Sequence, residues 1–252
     1  MMIRRCFLLL FIALSYVSIG QPLNFHRVFL DFNSVGIRIN TNGWGINYRK
    51  GRCINRFYRK YYEVEFTRIK DTRAIKFSNP YYITPENIYF GKVNDFFDIH
   101  LSYGHQRILV EKKDKGSLEI RLCSSFGPAL GISKPVYYNV VDRTGSYTYF
   151  TKFTDDLLLQ QILSMAPFNK GLDEMKPNIG ANGKIGISFE RSKREKTLSA
   201  MEIGSTFTIY LLPIELVYKR KQNFFFNLYL EYRIGKFFPT KLRHKENETN
   251  EQ

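Results

Sequence analysis

Cysteine, tryptophan and histidine are scarce in this sequence of 252 residues, which contains three cysteines, one tryptophan and four histidines. There is no C-x-x-C pair and no Cys/His cluster, so the sequence supplies no ligand set for a structural metal, and neither a metal site nor a cofactor is predicted. Cys53 and Cys123 could form a disulfide only if their Cα atoms lay within about 7 Å of each other. The sequence leaves that pairing open.

Long hydrophobic runs are also rare, and the longest lies at the N-terminus. Arg4 and Arg5 precede an apolar run from Cys6 to Leu14, and small residues follow up to Gly20. The run is too short for a comfortable membrane helix, and its flanks are typical of a cleaved leader. We therefore predict a secretory signal peptide over residues 1–20 and an exported protein, with an uncleaved N-terminal anchor as the alternative.

Negative charge is the scarcer sign, with 23 Asp and Glu against 38 Lys and Arg and a net charge of +15. Removal of the leader lowers this excess by two. Such a balance on an exported protein favours anionic neighbours such as lipid head groups, with solvated loops as the alternative. The basic residues are scattered and no nucleic-acid motif accompanies them, so nucleic acid is not a predicted partner.

Helical periodicity is weak, and alternation of apolar and polar residues recurs after residue 33. This alternation predicts eight strands, and Asn42-Gly43 is a strong signal for a tight hairpin between the first two. In the fourth strand the phase slips near Gly104, which predicts a bulge. The predicted strands cover residues 34–41, 44–50, 60–67, 97–103, 116–133, 184–190, 200–209 and 224–235.

The predicted connections alternate between short and long. Short links lie near 51–58, 113–116 and 191–196, long ones near 70–95 and 135–182, and the link at 211–221 is intermediate. This rhythm is typical of a membrane barrel with short turns on the side that holds both termini and longer loops outside. Within the longest loop, residues 153–168 predict a short helix, packed on the loop or, as the alternative, touching lipid. Residues 239–252 are charged and predict a disordered periplasmic tail.

The stretch GSLEIRLC poses the question of which face of these strands meets water. Leu118, Ile120 and Leu122 alternate with Glu119 and Arg121. A soluble sandwich would bury the apolar face, whereas a membrane barrel turns it to lipid and points the polar face into the lumen. Alternation alone does not distinguish these two arrangements.

Three features favour the membrane barrel: the absence of a disulfide framework, the aromatic residues on the apolar faces, and the presence of both charge signs on the polar faces. The predicted aromatic belt comprises Trp44, Tyr48, Tyr62, Phe97, Tyr103, Phe224, Phe226 and Tyr232. The predicted lumen charge network comprises Arg38, Arg49, Glu63, Glu65, Asp98, His100, Glu119, Arg121, Lys184, Glu190, Glu202, Glu231 and Arg233.

The predicted fold class is all-β: a transmembrane antiparallel up-and-down β-barrel of about eight strands, with long extracellular loops, over residues 21–238. Its interior would be filled by its own side chains, so a diffusion pore is not expected. The alternative is a soluble exported protein, similar to a lipocalin, that holds a small apolar ligand in an apolar interior.

Residues 88–138 resemble a family of small, largely uncharacterised outer-membrane β-barrel proteins of Gram-negative bacteria. The resemblance is carried by the segments 89–94, 104–107, 114–116, 127–131 and 134–138, which read YFGKVN, GHQR, DKG, GPALG and KPVYY. Weaker similarity covers 184–238. The resemblance implies an outer-membrane location, with outer-membrane lipid and the outer-membrane assembly machinery as partners, and implies no activity. Such barrels commonly finish on an aromatic strand, whereas here residues 239–252 follow Phe238.

No catalytic residues are predicted. His100, Ser102 and Asp98 supply the residue types of a hydrolase on one strand, but they are spaced about 6.5 to 7 Å apart along one face and do not make a triad by themselves. There is no G-x-S-x-G motif. We therefore expect no enzyme, and an outer-membrane lipid hydrolase or acyltransferase is the alternative.

Two basic clusters are candidates for contact with lipopolysaccharide phosphates, with solvated charge as the alternative for each. The first comprises Lys112, Lys113 and Lys115 at a predicted periplasmic turn, and the second comprises Lys219, Arg220 and Lys221 beside an outer loop. The predicted function is therefore a structural, surface-interaction or otherwise unassigned role in the cell envelope.

Overall fold

The structure is a computed structural model that describes residues 30–55, 57–70, 76–78, 87–111, 118–142, 146–155, 157–191 and 197–239. The predicted signal peptide, the Lys112–Lys115 cluster and residues 240–252 of the predicted tail lie outside the described residues. Within the described part of the chain, no helix is long and apolar enough to cross a membrane.

Thirteen strands and one short 3₁₀ helix make up the described fold. In chain order they are β1 (Leu30–Asn40), β2 (Gly43–Cys53), β3 (Tyr58–Ile69), β4 (Lys76–Ser78), β5 (Asn87–Tyr89), β6 (Asn94–Val110), β7 (Glu119–Pro135), β8 (Tyr137–Val141), β9 (Thr148–Lys152), the 3₁₀ turn Leu159–Gln161, β10 (Ile162–Met165), β11 (Lys176–Glu190), β12 (Thr197–Val217) and β13 (Arg220–Pro239).

Eight of these strands close into one antiparallel barrel in the order β1-β13-β12-β11-β7-β6-β3-β2. Each barrel strand pairs with its neighbour in sequence among the eight, and β13 returns to pair with β1. The predicted fold class, an eight-stranded up-and-down barrel, is confirmed. All eight predicted strands are present, and most observed strands extend beyond the predicted bounds. The exceptions are the end of β1 at Asn40, predicted at residue 41, and the start of β7 at Glu119, predicted at residue 116.

The register of the strands advances by ten residues on one circuit of the barrel. Following paired residues from Asp31 across successive strands leads to Leu228 on β13. The carbonyl of Leu228 accepts a hydrogen bond of 3.0 Å from the N–H of Thr41, so the circuit that began at residue 31 closes at residue 41. A stagger of this size tilts the strands by about 40° from the barrel axis.

The two ends of the barrel differ. At the terminal end, where Leu30 and Pro239 pair, the links 54–57, 111–118 and 191–196 are short. At the opposite end, called the loop end below, residues 70–93 and 136–175 form the long connections and contain β4, β5, β8, β9 and β10. The predicted contrast between short and long links is present.

Three local predictions are wrong. Residues 211–221 are not a loop, because β12 and β13 continue through them to a tight turn at Tyr218 and Lys219, where Lys219 has a φ of 61°. Residues 153–168 form no α-helix in their described part; they hold the 3₁₀ turn and β10, which pairs with β8.

The third is the bulge at Gly104, where β6 keeps its register with both neighbours. The apolar part of the outward face ends there, and the next outward residues, His105 and Arg107, are polar. In the sequence, this loss of apolar residues at outward positions looks like the shift in alternation that a bulge causes. The register shift between β6 and β7 lies at Ile108–Val110 instead.

The charged face of the stretch GSLEIRLC points inward. Glu119, Arg121 and Cys123 are buried, whereas Leu118 is exposed and its apolar successors are half-buried on the outer face. Cys53 and Cys123 are both buried and free, so the disulfide left open by the sequence is not formed.

The loops at the loop end have a core of their own. Strands β9, β8 and β10 form a three-stranded sheet, and β4 pairs with β5. Tyr138 is fully buried there, and the single proton of its hydroxyl is shared between the carbonyls of Tyr89 (2.7 Å) and Lys92 (2.8 Å). The surrounding apolar residues are Ile88, Val136, Val140, Leu157 and Ile162. The long loops are therefore packed together above the barrel.

Candidate functional site: the charged lumen

The candidate site is the interior of the barrel, where inward positions of all eight strands meet. The structure places all thirteen residues of the sequence-derived charge network on inward positions, and every one of them is buried. Burial on this scale requires that charges be paired, because an isolated charge loses its hydration at large cost. The contacts show how the pairing is achieved.

Arg38 on β1 lies at the centre of the network. Its guanidinium donates to the Glu65 carboxylate and to Oε2 of Glu231 at 2.5 and 2.9 Å, and Glu63 lies 3.6 Å away. These glutamates belong to β3 and β13, so one side chain joins three strands across the lumen. The planar guanidinium is suited to this role because its five N–H donors point in fixed directions.

Arg49 on β2 makes a second bridge. It donates to both carboxylate oxygens of Glu63 at 3.1 and 3.2 Å and to Glu202 at 3.2 Å. Lys184 on β11 also donates to both oxygens of Glu63, at 2.8 and 2.7 Å. Arg233 on β13 donates to Glu202 at 2.5 Å. Four cations therefore face four glutamates, and this central layer is electrically balanced.

Two tyrosines fill the space around these guanidiniums. Arg49 lies 4.2 Å from the ring centre of Tyr61, and Arg38 lies 4.3 Å from that of Tyr229, both in cation–π contact. The rings fit because glycines face them: a Cβ on Gly104 would lie 2.4 Å from Tyr61, and one on Gly186 would lie 2.4 Å from the Tyr229 hydroxyl. These glycines provide room for the rings.

A second balanced cluster lies nearer the terminal end. Arg59 on β3 donates to Glu190 at 2.7 Å, Arg121 donates to Glu119, and Arg59 lies 3.6 Å from Glu119. Sequence reasoning missed Arg59 because the third strand was predicted to begin at residue 60, two residues after its observed start at Tyr58. The signal was present, since Arg59 is in phase with Tyr61 and the two inward glutamates of β3.

Apolar side chains close the lumen above and below the charges, and the sequence-derived picture of an all-polar interior missed them. At the loop end, the Phe96 ring stacks on Phe225 at 5.7 Å and meets Tyr210 edge-on at 5.4 Å. At the terminal end, Phe32 and Phe237 pack beneath Arg59. An eight-stranded barrel has room for its own side chains only, and these layers occupy it.

The hydrolase-like residues of β6 lie in the same interior. His100 Nε2 and Asp98 Oδ2 are 2.7 Å apart, which is closer than the spacing predicted along the strand. Side chains on a strand lean along its direction, and this closes the gap. The Ser102 hydroxyl donates to the Asn182 side chain at 3.2 Å instead of to His100. All three are buried in the lumen, away from the outer face.

The eight residues of the predicted aromatic belt occupy outward positions. Six are exposed, Tyr62 most of all with 69% of its surface accessible, while Phe97 and Tyr103 are half-buried. Tyr62 and Tyr103 pack together at 5.1 Å between ring centres, as do Phe207 and Phe226. Phe97 packs against Phe66 at 6.0 Å. The outer wall thus carries aromatic side chains on both halves of its height.

The outer basic cluster at Lys219, Arg220 and Lys221 lies at the tip of the β12–β13 hairpin and is exposed. Lys219 donates to Asp155 at 2.7 Å, and this contact lowers the pKa of the Asp155 carboxyl. In the same loops, Lys152 and Tyr137 both donate to Glu174, which lowers the pKa of that carboxyl.

Within the described residues, no group of three or more His, Cys, Asp and Glu side chains is placed to hold a metal ion. Carboxylates are numerous in the lumen, but the six glutamates are engaged by guanidiniums or an ammonium, and Asp98 is engaged by the His100 imidazole. The geometry of this interior therefore supports a structural core more than a reaction centre.

Comparison with known protein families finds no match, and comparison with curated proteins finds none either. Among solved structures, the chain is similar to Neisserial surface protein A (11% identity, 83% of this chain and 97% of that chain, TM-score 0.39).

It is also similar to the attachment invasion locus protein Ail of Yersinia pestis in complex with the heparin analogue sucrose octasulfate (10% identity, 83% and 99%, TM-score 0.39). A third similar structure is the N-terminal β-barrel domain of Pseudomonas aeruginosa OprF (7% identity, 84% and 98%, TM-score 0.34). These likenesses are distant, and the barrel of this chain is established by its own strand pairing.

Proposed function

We propose that this chain is an integral outer-membrane β-barrel protein with a structural or surface-interaction role in the cell envelope. The observation that carries the proposal is the composition of the outer wall. Soluble monomers rarely expose a contiguous apolar patch larger than a few hundred Å². Here Ile37 on β1, Leu101 on β6 and Ile187 on β11, three strands spread around the barrel, expose 65, 53 and 39% of their surfaces, and their outward neighbours along each strand are also apolar.

The height of this apolar wall supports the proposal. On β13, outward side chains from Phe224 to Ile234 are apolar and exposed without interruption. At about 3.3 Å per residue and a tilt of about 40°, this stretch is about 25 Å tall, the height of the apolar band in outer-membrane barrels. The wall therefore matches the thickness of hydrocarbon that it would need to cover.

The soluble alternative, a lipocalin-like binder, requires an apolar interior. The described interior is filled instead by paired charges between two aromatic layers, and the apolar face is outside. An enzymatic role has little support, because His100, Asp98 and Ser102 are buried inside the barrel. We propose a protein without catalysis, inserted by the outer-membrane assembly machinery, whose partners meet the wall or the packed loops.

Membrane fractionation tests this function. The protein is expressed with its leader, the outer-membrane pellet is washed with carbonate or urea, and the extracted band is run with and without boiling. Retention in the washed pellet and faster migration without boiling are expected, since a closed barrel resists unfolding in detergent at room temperature. Release of a soluble protein into the periplasmic fraction would overturn the proposal.

A further inference from the structure

A group of charged side chains lies outside the barrel, on the outer wall at the loop end. It comprises Arg68 on β3, Asp95 on β6, Lys134 on β7 and Lys92 from the link before β6, and is called the rim cluster below. Asp95 and Lys134 are directly opposite each other in the register. All three strand residues are in phase with outward apolar side chains, so the cluster does not communicate with the lumen.

The rim cluster holds three cations and one carboxylate. Arg68 and Lys92 both donate to the same oxygen of Asp95, at 3.2 and 2.7 Å. Lys134 contacts no carboxylate among the described residues; its ammonium donates to the carbonyl of Pro135 at 3.5 Å, the limit of a hydrogen bond. Every lumen layer is balanced, whereas this group carries two more positive charges than negative ones.

Hydrogen-bond donors in the rim cluster are also left over. Lys134 is only 3% exposed, although an ammonium has three protons to donate. The Nε of Arg68 is buried and has no partner. Buried polar groups are almost always satisfied, so unused donors beside an excess of positive charge indicate that an anionic partner completes the site.

Aromatic side chains separate the cluster from the apolar wall. The Arg68 guanidinium lies 5.8 Å from the ring centre of Phe97, and the Lys134 ammonium lies 4.7 Å from that of Phe168. The two rings meet edge-on at 6.1 Å. Aromatic side chains followed by Lys and Arg mark the level at which hydrocarbon gives way to lipid head groups.

We propose that the rim cluster binds the phosphate group of an outer-leaflet lipid, with Arg68 and Lys92 donating to its oxygens and Lys134 adding positive charge from behind. The proposal rests on the proposed function for the location of the wall in the membrane. Arg68 has about a third of its side chain exposed, so part of the side chain is accessible to a ligand. A planar guanidinium matches a phosphate in geometry as well as in charge.

The chain contains its own reporter for this site. Trp44 is the single tryptophan of the sequence, it is exposed on the outer wall, and it is the direct register partner of Arg68. A lipid whose phosphate occupies the rim cluster would place its sugar or acyl chains beside the indole. Trp44 fluorescence therefore reports binding without any label.

The test titrates folded full-length protein in detergent micelles with lipopolysaccharide, with chemically dephosphorylated lipopolysaccharide and with inorganic phosphate, following Trp44 emission. We expect saturable binding of the phosphorylated lipid, at least about tenfold weaker binding of the dephosphorylated one, and no comparable response to inorganic phosphate. Equal binding of the two lipids would overturn the proposal. An equal response to free phosphate would overturn the lipid proposal and show that the site binds a soluble phosphate anion.

Variants locate the binding. Arg68→Gln with Lys134→Gln should weaken binding of the phosphorylated lipid at least about tenfold. The matched control, Arg52→Gln with Lys60→Gln, removes the same charge from two exposed side chains at the terminal end of the barrel and should leave binding unchanged. If the double rim variant fails to fold, the single Lys134→Gln variant replaces it. Unchanged binding in a folded rim variant would refute the site.

The outcomes separate the two proposals. A protein that washes off the membrane refutes the proposed function, whatever its phosphate binding. A protein that stays in the membrane, shows heat-modifiable migration and binds the phosphorylated lipid equally well with and without the rim cations refutes the rim site alone.

Discussion

The lumen network and the rim cluster are built from the same residue types and differ in balance. In the lumen, Arg38 and Arg49 share glutamates from several strands, and cations and carboxylates are equal in number. At the rim, Arg68 and Lys92 share the single carboxylate of Asp95, and Lys134 lies beside them without an ion-pair partner among the described residues. One set of charges is complete within the chain, and the other is not.

This difference shows what each set of charges does for the protein. A buried network whose cations and carboxylates balance holds the strands together and carries no excess charge for a ligand to neutralise. A group with excess charge at the edge of an apolar wall costs stability in isolation and regains it from a partner. Function is therefore more plausible on the outside of this barrel than in its interior.

Breaking the lumen network should cause the largest loss of stability. Arg38→Met keeps the length of the side chain but leaves Glu65 and Glu231 without their main partner in a fully buried place. We expect the free energy of unfolding to fall by about 3 to 5 kcal/mol. Urea unfolding of the protein in lipid vesicles, followed by the heat-modifiable gel shift, measures the change.

The control for this variant is Arg52→Met, which removes an exposed arginine of β2 that pairs with Asp31 at 2.8 Å. That side chain is largely exposed, so its loss should cause no measurable change. Equal unfolding midpoints for the two variants would show that the lumen charges do not stabilise the barrel.

Placing a charge on the outward face of β1, the strand that carries Arg38, should cause the next largest loss of stability. Ile37 precedes Arg38 and points outward, with 65% of its surface exposed. In a bilayer, Ile37→Arg should destabilise the barrel by about 2 to 4 kcal/mol, as a cation near the midplane does. Asn33→Arg, on the same face near the terminal end, should cost about 1 kcal/mol or less. Equal stabilities in vesicles would indicate that the wall faces water.

The alternation of residues allowed much of the barrel to be predicted. On β13, six outward apolar residues alternate with inward residues that are polar except for Phe225, and a period of two is preserved whether the outside is lipid or water. The positions of the strands could therefore be predicted from the alternation, but the alternation did not determine whether the outward face meets lipid or water. Strand ends were predicted less well, because β12 and β13 pair beyond the barrel as a hairpin of ordinary polar and apolar residues.

The network residues could be chosen by phase alone, but their partners could not. Arg38 and Glu231 are 193 positions apart in the chain and meet only through closure of the barrel. The rim cluster had no signal at all in the sequence, because Arg68, Lys92 and Lys134 belong to three different segments and the loop packing brings them together. Likewise, the spacing of the apolar residues around Leu157 predicted a helix. In the structure, Leu157 packs instead in the apolar core of the loops.

Removing the acid from the rim cluster should lower the stability less than the two changes above. It should also strengthen lipid binding, whereas removal of the rim cations weakens it. Asp95→Asn leaves Arg68 and Lys92, which are both partly exposed, without their carboxylate, at a cost of about 1 kcal/mol in urea unfolding. The same variant frees Arg68 and Lys92, so Trp44 titration should show tighter binding of phosphorylated lipid. Weaker binding would mean that Asp95 positions the cations for the ligand instead of competing with it.

The smallest effect is expected at the hairpin tip. Lys219 and Asp155 form an ion pair of 2.7 Å between two exposed side chains, and solvent screens such pairs. Lys219→Ala should therefore leave the urea midpoint unchanged at physiological salt.

The pKa of Asp155, which this lysine lowers, should rise towards its ordinary value in the same variant, and NMR titration of the carboxyl measures that rise. A folded-state carboxyl pKa that is depressed contributes stability only above its unfolded value, so any contribution of this pair would vanish as the pH falls through the acidic range. A clear loss of stability at neutral pH would show that the hairpin tip is held to the loops by this one contact, and that charge outside the lumen can also be structural.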